Sequence, residues 1–404
     1  MRYYVFLMRY FSNDVDLSRF VAKKVKKVRS DGVVLRHETL LTLQKALDDA
    51  KSRLEDNFIR QKPIKSLSGT VYTGLAGVAL ALDHVRKSED ERSHTAALVK
   101  EATERRQNKW GGFYCTDSGS LAVAAILDDT TDYIQEFLSR FHEEVDCDEV
   151  LYGRAGLLWA GLQLLQRASM PLDQETLLRH HLKRLCDVII RNGLNDRGSL
   201  APPIWHWHGK KYLGAAHGFA GILTVLIRAK DLLSLSQLEL VLEGALDAVA
   251  RWRLPSGNFR SSETSVSDEL VQWCHGAPGF LLMMVEAIPL VTLSQKKALL
   301  ASAAEAANVI WERGILVKGI GLCHGVCGNG YALLSLWRVS GREEYYFKAL
   351  RLGLVATRWR SYVDSKKWTL PDRPLSLMEG LAGAMCFWHD LIQSQEQRNH
   401  ILLL

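Results

Sequence analysis

An all-α fold built of repeated helix pairs is what this sequence predicts, on three observations. Glycine pairs recur at Gly74-Leu-Ala-Gly77, Gly153-Arg-Ala-Gly156, Gly218-Phe-Ala-Gly221, Gly276-Ala-Pro-Gly279, Gly325-Val-Cys-Gly328 and Gly380-Leu-Ala-Gly383, with a degenerate copy at Thr116-Asp-Ser-Gly119. Stretches with apolar residues three and four apart fill the intervals, the period of amphipathic helices. Long apolar–polar alternations are scarce, so few strands are expected. Internal repetition overrides domain counting by length. The 404 residues therefore read as one domain, with an arm and first helices over 1–70, a repeat core over 71–391 and a tail over 392–404.

Each interval of about 37 to 65 residues has room for two helices, one opening at the glycines and one returning. The opening helices carry apolar runs such as Val78-Ala-Leu-Ala-Leu82 and Phe280-Leu-Leu-Met-Met284. Among the returning helices, Ser236 and Glu239 have the spacing of a capping box. They open a segment with Leu238, Val241, Leu242, Ala245, Leu246 and Val249 spaced three and four apart. Ser294 opens a similar segment, which Gly314 is placed to close. Prolines gather in loops, at Pro202-Pro203, Pro255, and Pro371 with Pro374. Seven helix pairs can stack as an open solenoid or close into a ring, and composition does not choose. A ring would bring all the helix starts to one end of a central axis.

Apolar content of 47% and charged content of 24% are those of a soluble globular protein. The net charge of +6 is mild and scattered apart from Lys23-Lys24-Val-Lys26-Lys27, which reads as a solvated helix face or arm rather than a nucleic-acid surface. No segment reaches the ~18 apolar residues of a membrane span. The apolar start Met1–Met8 has no small-residue cleavage site after it. Seven cysteines, an odd number spread thinly, argue against a disulfide framework and for a reducing compartment. A cytoplasmic monomer is expected, with a peripheral-membrane or nuclear fraction left open.

The residues just before the first glycine are Thr73, Cys115, Tyr152, His217, His275, His324 and Glu379, and one step earlier stand Cys274 and Cys323. Helix-packing glycines account for the glycines but not for this column. If equivalent positions meet in space, Cys274, Cys323 and His324 converge. Two thiolates and an imidazole suit zinc, and three ligands would leave one tetrahedral position open. Spacing alone is a weak signal, because the 49 residues from Cys274 to Cys323 form no zinc-finger pattern. The repeat alignment carries the inference. A metal of this kind would activate an incoming sulfur nucleophile. His217 could transfer a proton, or be a satisfied core histidine. His275, Glu379 and Tyr152 are candidates for supporting the metal ligands or touching substrate. Cys115, Cys147, Cys186, Cys327 and Cys386 read as core or loop residues.

Five blocks resemble the eukaryotic lanthionine synthetase C-like (LanC-like) proteins over about Tyr72 to Leu391: Leu151-Tyr-Gly-Arg154, Gly214-Ala-Ala-His-Gly218, Trp273-Cys-His-Gly-Ala-Pro-Gly279, Lys318-Gly-Ile-Gly-Leu-Cys-His-Gly325 and Ser376-Leu-Met-Glu-Gly380. The resemblance implies an α/α toroid of seven inner and seven outer helices, with one zinc ion on Cys274, Cys323 and His324. It puts the catalytic histidine at His217. It also implies glutathione contacts at Lys318 and at Arg9, within Arg9-Tyr-Phe-Ser-Asn13. Two departures stand out. Thr116 replaces a glycine, which should weaken that helix start. Thr369 stands where the family often has arginine, a role open to Arg373.

The activity implied is zinc-dependent transfer of the glutathione thiol to dehydroalanine or dehydrobutyrine in proteins or peptides. The alternative is a glutathione- and zinc-binding adaptor without catalysis. A fourth Cys or His beside the three would favour that alternative, and Cys327 is the nearby candidate.

Overall fold

The computed structural model describes residues 9–29, 32–61, 67–107, 109–128, 130–195 and 203–394. The apolar start Met1–Met8 and Pro202 lie outside the described residues. Sixteen α-helices occur among those described. They are α1 (Leu17–Lys24), α2 (His37–Glu55), α3 (Leu75–His84), α4 (Glu89–Glu104), α5 (Asp117–Leu127), α6 (Asp132–Ser139), α7 (Arg154–Arg167) and α8 (Leu172–Asn195). The chain continues through α9 (Phe219–Arg228), α10 (Leu235–Trp252), α11 (Ala277–Ala287), α12 (Leu293–Arg313), α13 (Val326–Ser340), α14 (Glu343–Ala356), α15 (Trp359–Asp364) and α16 (Leu381–Gln393). Strands β1 (Tyr10–Phe11), β2 (Val25–Arg29), β3 (Gly32–Leu35) and β4 (Ile315–Leu316) form two antiparallel pairs, β1 with β4 and β2 with β3.

The helices close a ring. Each of α3, α5, α7, α9, α11, α13 and α16 touches the next, and α16 touches α3. These inner helices are apolar on every face: α3 buries all of Leu75 to Leu82, and α9 all of Phe219 to Ile227. A helix of that kind must be enclosed. The enclosure is an outer layer of α4, α6, α8, α10, α12 and α14, each against the inner helix before it. The seventh outer helix is α2, packed on α16, so the two ends of the chain meet to complete the circle. Outer helices such as α10 are one-sided, burying Val241, Leu242, Ala245, Ala248 and Val249, whereas α14 is enclosed along Tyr345 to Leu350. The fold is an α/α toroid.

The outer helix starts differ in detail from the sequence reading. Ser234, not Ser236, caps α10 and forms a capping box with Gln237. Thr292, not Ser294, caps α12 with Gln295. In each case the glutamine two residues earlier in the pattern returns its Oε1 to the cap N–H, at 2.9 and 3.0 Å. Gly314 does follow α12, in right-handed helical backbone (φ −80°) rather than the left-handed cap its glycine permits. The Lys23–Lys27 run straddles the end of α1 and the start of β2, with Lys23, Lys26 and Lys27 exposed.

The inner helix starts explain the repeat. Their N-caps are the first glycines, or Thr116, and no cap side chain bonds the helix. The exposed N–H groups go instead to carbonyls seven residues upstream, as Leu75 to Ser68 (3.0 Å), Phe219 to Tyr212 (3.1 Å), Val326 to Gly319 (2.9 Å) and Leu381 to Pro374 (2.8 Å). The preceding loop is thereby pressed onto the first helical turn. A Cβ on the second glycine would fall 1.9 Å from Val71 O at Gly77, 1.9 Å from Ala215 O at Gly221 and 1.8 Å from Leu322 O at Gly328. Only glycine admits that carbonyl. Thr116 is accommodated at its helix start: its backbone is extended (φ −135°) like that of Gly380, and Ser118 lies 2.8 Å from its hydroxyl. No helix among the described residues is long and apolar enough to cross a membrane.

Close approach to a backbone oxygen cannot be relieved by a rotamer change. Gly221→Ala should therefore cost roughly 3 kcal/mol or more in chemical denaturation, the range of severe backbone and packing lesions. Gly209, with φ +72° and nothing within 4 Å of an added Cβ, serves as control. Gly209→Ala should lose only about 1 kcal/mol, the penalty of left-handed backbone. Small and equal losses at both sites would remove carbonyl approach as the reason for the repeat.

Candidate functional site

The loops before the inner helices join backbone to backbone around the axis. Met378 N–H donates to Tyr72 O (3.0 Å), Tyr72 to Tyr114 O (2.7 Å), Cys115 to Leu151 O (3.1 Å), Val150 to Ala216 O (3.2 Å), Cys274 to Cys323 O (3.2 Å) and Cys323 to Met378 O (2.8 Å). Between the fourth and fifth repeats, Gly214 lies so close that a Cβ there would be 2.0 Å from Cys274 O. This belt turns residues some fifty apart in sequence into neighbours.

Cys274, Cys323 and His324 meet, with ligand-capable atoms all within 4.8 Å of one another. Both cysteines are buried and His324 half-buried. Hydrogen bonds from Cys323 and His324 hold the Cys274 thiol well below its usual range, against the cost of burial. Burial and the adjacent Cys274 push Cys323 up, and the Tyr72 hydroxyl bonds its sulfur. Gln272 Nε2 donates to Cys274 Sγ at 3.2 Å. The other cysteines behave as inert thiols: burial pushes Cys115 and Cys186 up to about 12. Cys327 and Cys386 are pushed well above the usual thiol range by the same cause. Two buried sulfurs that cannot both be ionised on their own, with an imidazole beside them, form a donor set that suits a soft divalent cation. No fourth Cys, His, Asp or Glu joins the group among the described residues, Cys327 included.

His217 is held on two sides. Its Nδ1 is 2.7 Å from Glu149 Oε2, and its ring stacks on Trp207 at 3.8 Å and 4°. Glu149 is buried, and its carboxylate also accepts the backbone N–H of Leu151 (3.0 Å) and that of Tyr152. A carboxylate already accepting from amides requires Nδ1 to be the donor, which leaves Nε2 as the nitrogen able to exchange a proton. Trp207 reaches this position on a tight turn through His208 and Gly209, both at positive φ (48° and 72°), closed by paired bonds between Trp207 and Lys210.

His275 lies beside this group, its ring 5.8 Å from Tyr212, which in turn lies 6.0 Å from His217. Burial, with the nearby charges of His217 and Lys318, holds its imidazole below the ordinary value against the pull of Cys274. Its Nδ1 is buried with no hydrogen-bond partner among the described residues. Lys318 and Arg9 line one pocket with Glu269 and Gln272, joined by β1 pairing with β4 and by Val317 N–H donating to Arg9 O (3.1 Å). Arg9 Nε is ion-paired to Glu269 at 2.8 Å, both half-exposed. Tyr152 hydrogen-bonds Cys115, and the charge of Glu379 is felt at Cys115, Cys323 and Tyr72. Thr369 joins Lys318's own strand end, its N–H donating to Val317 O at 2.9 Å, while Arg373 is exposed.

Four contributors escaped the sequence reading: Tyr72, Glu149, Trp207 and Gln272. Tyr72 stands two residues before Gly74, the column that also holds Cys274 and Cys323. Glu149 and Gln272 each stand four before a first glycine. Extending the alignment upstream would have found all three. Trp207 belongs to no repeat position and had no signal.

The lanthionine synthetase C-like protein family matches residues 65–404. A zebrafish (Danio rerio) protein named glutathione S-transferase LANCL1 is 29% identical over 351 residues, 80% of this chain and 82% of its own length. The Arabidopsis thaliana LanC-like protein GCL1 is 31% identical over 398 residues, 90% of this chain and 87% of its own. Nisin cyclase has the same fold, with a TM-score of 0.58 over 88% of this chain and 94% of its own at 15% identity. With the closed ring and the glycine repeats in place, the chain belongs to the lanthionine synthetase C-like family.

Proposed function

We propose that this protein is a zinc-dependent transferase that adds the thiol of glutathione to dehydroalanine or dehydrobutyrine residues of proteins or peptides. The observation that carries the reading is the open donor set: two thiols and an imidazole within 4.8 Å, with no fourth protein ligand among the described residues. That absence favours an open, catalytic site over the closed site of a structural scaffold. The glutathione transferase name of the zebrafish relative supports the choice of thiol.

Cys274, Cys323 and His324 would hold the zinc, whose contribution when bound is to lower the pKa of an incoming thiol. His217 Nε2 takes up the thiol proton. The sulfur forms a bond to the β-carbon of the dehydroamino acid as the carbon–carbon double bond breaks, and the α-carbon receives one proton from His217. Glu149 on Nδ1 keeps the ring in the tautomer for both transfers. Trp207 fixes the plane of the ring. Lys318 and Arg9 are suited to the two carboxylates of glutathione, and Glu269 is the partner Arg9 would exchange. His275, Glu379 and Tyr152 would serve as substrate contacts or supports.

Three outcomes are expected. Purified protein should hold about one zinc per chain, the stoichiometry of a single three-ligand site; Cys323→Ala should lose most of it and Cys186→Ala none. Equal zinc in both variants, measured by elemental analysis, would sink the ligand assignment. Lys318→Ala should weaken use of glutathione by roughly 1–3 kcal/mol in kcat/KM, the scale of a lost charge-assisted hydrogen bond. A small uncharged thiol should be far less affected, and equal losses with both would place Lys318 elsewhere. His217→Ala should keep zinc and glutathione binding and lose roughly 10²–10⁴-fold in addition rate over the uncatalysed background, the scale for a positioned acid–base group. Mass spectrometry of a dehydroalanine peptide with glutathione measures it. Full activity in that variant would make the histidine a bystander.

A further inference from the structure

At the other end of the inner helices lies a second polar cavity that the proposed reaction does not use. It is about 450 Å³, within the roughly 300–1,000 Å³ of small-molecule sites. Arg167 ends α7, Arg338 stands in the last turn of α13, His389 is on α16, and His84 and Arg86 lie at and just past the end of α3. One inner-helix length, ~15–20 Å, separates it from the thiol pair.

Its charged groups are unevenly paired. Three guanidiniums face two carboxylates, Asp83 and Asp390. Asp83 is engaged by Arg86 (3.1 Å) and Arg167 (3.9 Å), and Arg86 also pairs with Glu89 (3.1 Å) just outside the lining. Asp390, buried, accepts from Tyr331 (2.8 Å) and lies 2.6 Å from His84 Nε2 and 3.3 Å from His389 Nδ1. Arg338 has no carboxylate at ion-pair distance among the described residues. Among the described residues its one hydrogen bond is a long 3.4 Å contact to Ser394 Oγ, and its buried Nε has no partner there. A buried cationic donor left unsatisfied is costly, and such groups ordinarily have a partner.

The geometry points to an anion site in this cavity, held by Arg338 with Arg86, Arg167 and the two imidazoles, that takes a small molecule bearing a phosphate group. Guanidinium forks match phosphate oxygens, and several converge here. A metal ion is the competing occupant, since atoms of His84, His389 and Asp390 lie within 4.8 Å of one another. That trio is already satisfied within itself, and a dication beside three guanidiniums would be repelled. The unsatisfied group is a cation, so the missing partner is an anion.

Calorimetric titration of the full chain with inorganic phosphate and with phenyl phosphate tests this. Wild type should show saturable 1:1 binding of at least one of them, and Arg338→Gln should weaken it about tenfold or more, the effect of losing one charge-assisted contact. Arg86→Gln, at a more exposed position, should weaken it in the same direction if Arg338→Gln does not fold. Lys318→Ala, at the opposite pole, should leave it unchanged. No saturable binding of either probe by wild type up to roughly 10 mM, which is weaker than any specific site needs, would overturn the proposal. So would phosphate binding that survives both arginine changes. Zinc or cobalt binding lost in Asp390→Asn, without phosphate binding, would replace the anion site by a metal site.

Discussion

A backbone carbonyl lying where a side chain would be is the contact on which this protein depends. In each repeat the loop before an inner helix folds back until its carbonyl meets the second glycine, at a distance that forbids Cβ. The N–H groups of the first turn are satisfied by upstream groups, backbone carbonyls at most starts and the Asn258 Oδ1 at α11, so no N-cap side chain is needed. That frees the position before the helix for chemistry. Where most helices have Ser, Thr or Asp as N-cap these have glycine, and His217, His275 and His324 stand one residue earlier.

The loops then bond to one another around the axis, and the chemistry follows from that belt. Cys274 and Cys323 come from different repeats, yet the N–H of one donates to the carbonyl of the other. Their side chains are neighbours because their backbones are paired. Environment then distinguishes cysteines that are alike in sequence. Cys327, one helical turn beyond His324, is buried in the core and stays a neutral thiol. Cys274, bonded by Cys323 and His324, is drawn toward thiolate despite equal burial. The same fixing applies to His217, whose two flanks are occupied by a carboxylate and an indole ring.

A toroid has two poles, and this chain gives them different chemistry. The helix starts gather thiols, imidazoles and the Lys318–Arg9 pocket. The helix ends gather Arg167, Arg338 and Arg86. Positive side chains at helix C-termini are expected from the macrodipole, and that accounts for their presence in general. It does not account for a guanidinium such as Arg338, whose enclosed Nε has no partner among the described residues.

The sequence alone determined the repeat, the all-helical class and the candidate ligand trio, because periodicity and residue type are local and survive in one dimension. The column before the glycines named Cys274, Cys323, His324 and His217 without coordinates. Residues that act through tertiary neighbours were less legible. Glu149 is recognisable only once His217 is seen against it, and Trp207 sits on a loop outside every repeat position. Capping at Ser234 and Thr292, two residues from the expected serines, was decided by which glutamine could turn back to the cap. Ring against open solenoid could not be read from helix pattern, since both bury the same faces. It was settled by α2 packing on α16, a contact between the chain's two ends that no local pattern encodes. Only that closure brings the seven helix starts around one axis, and so only the tertiary structure turns a column in an alignment into a site.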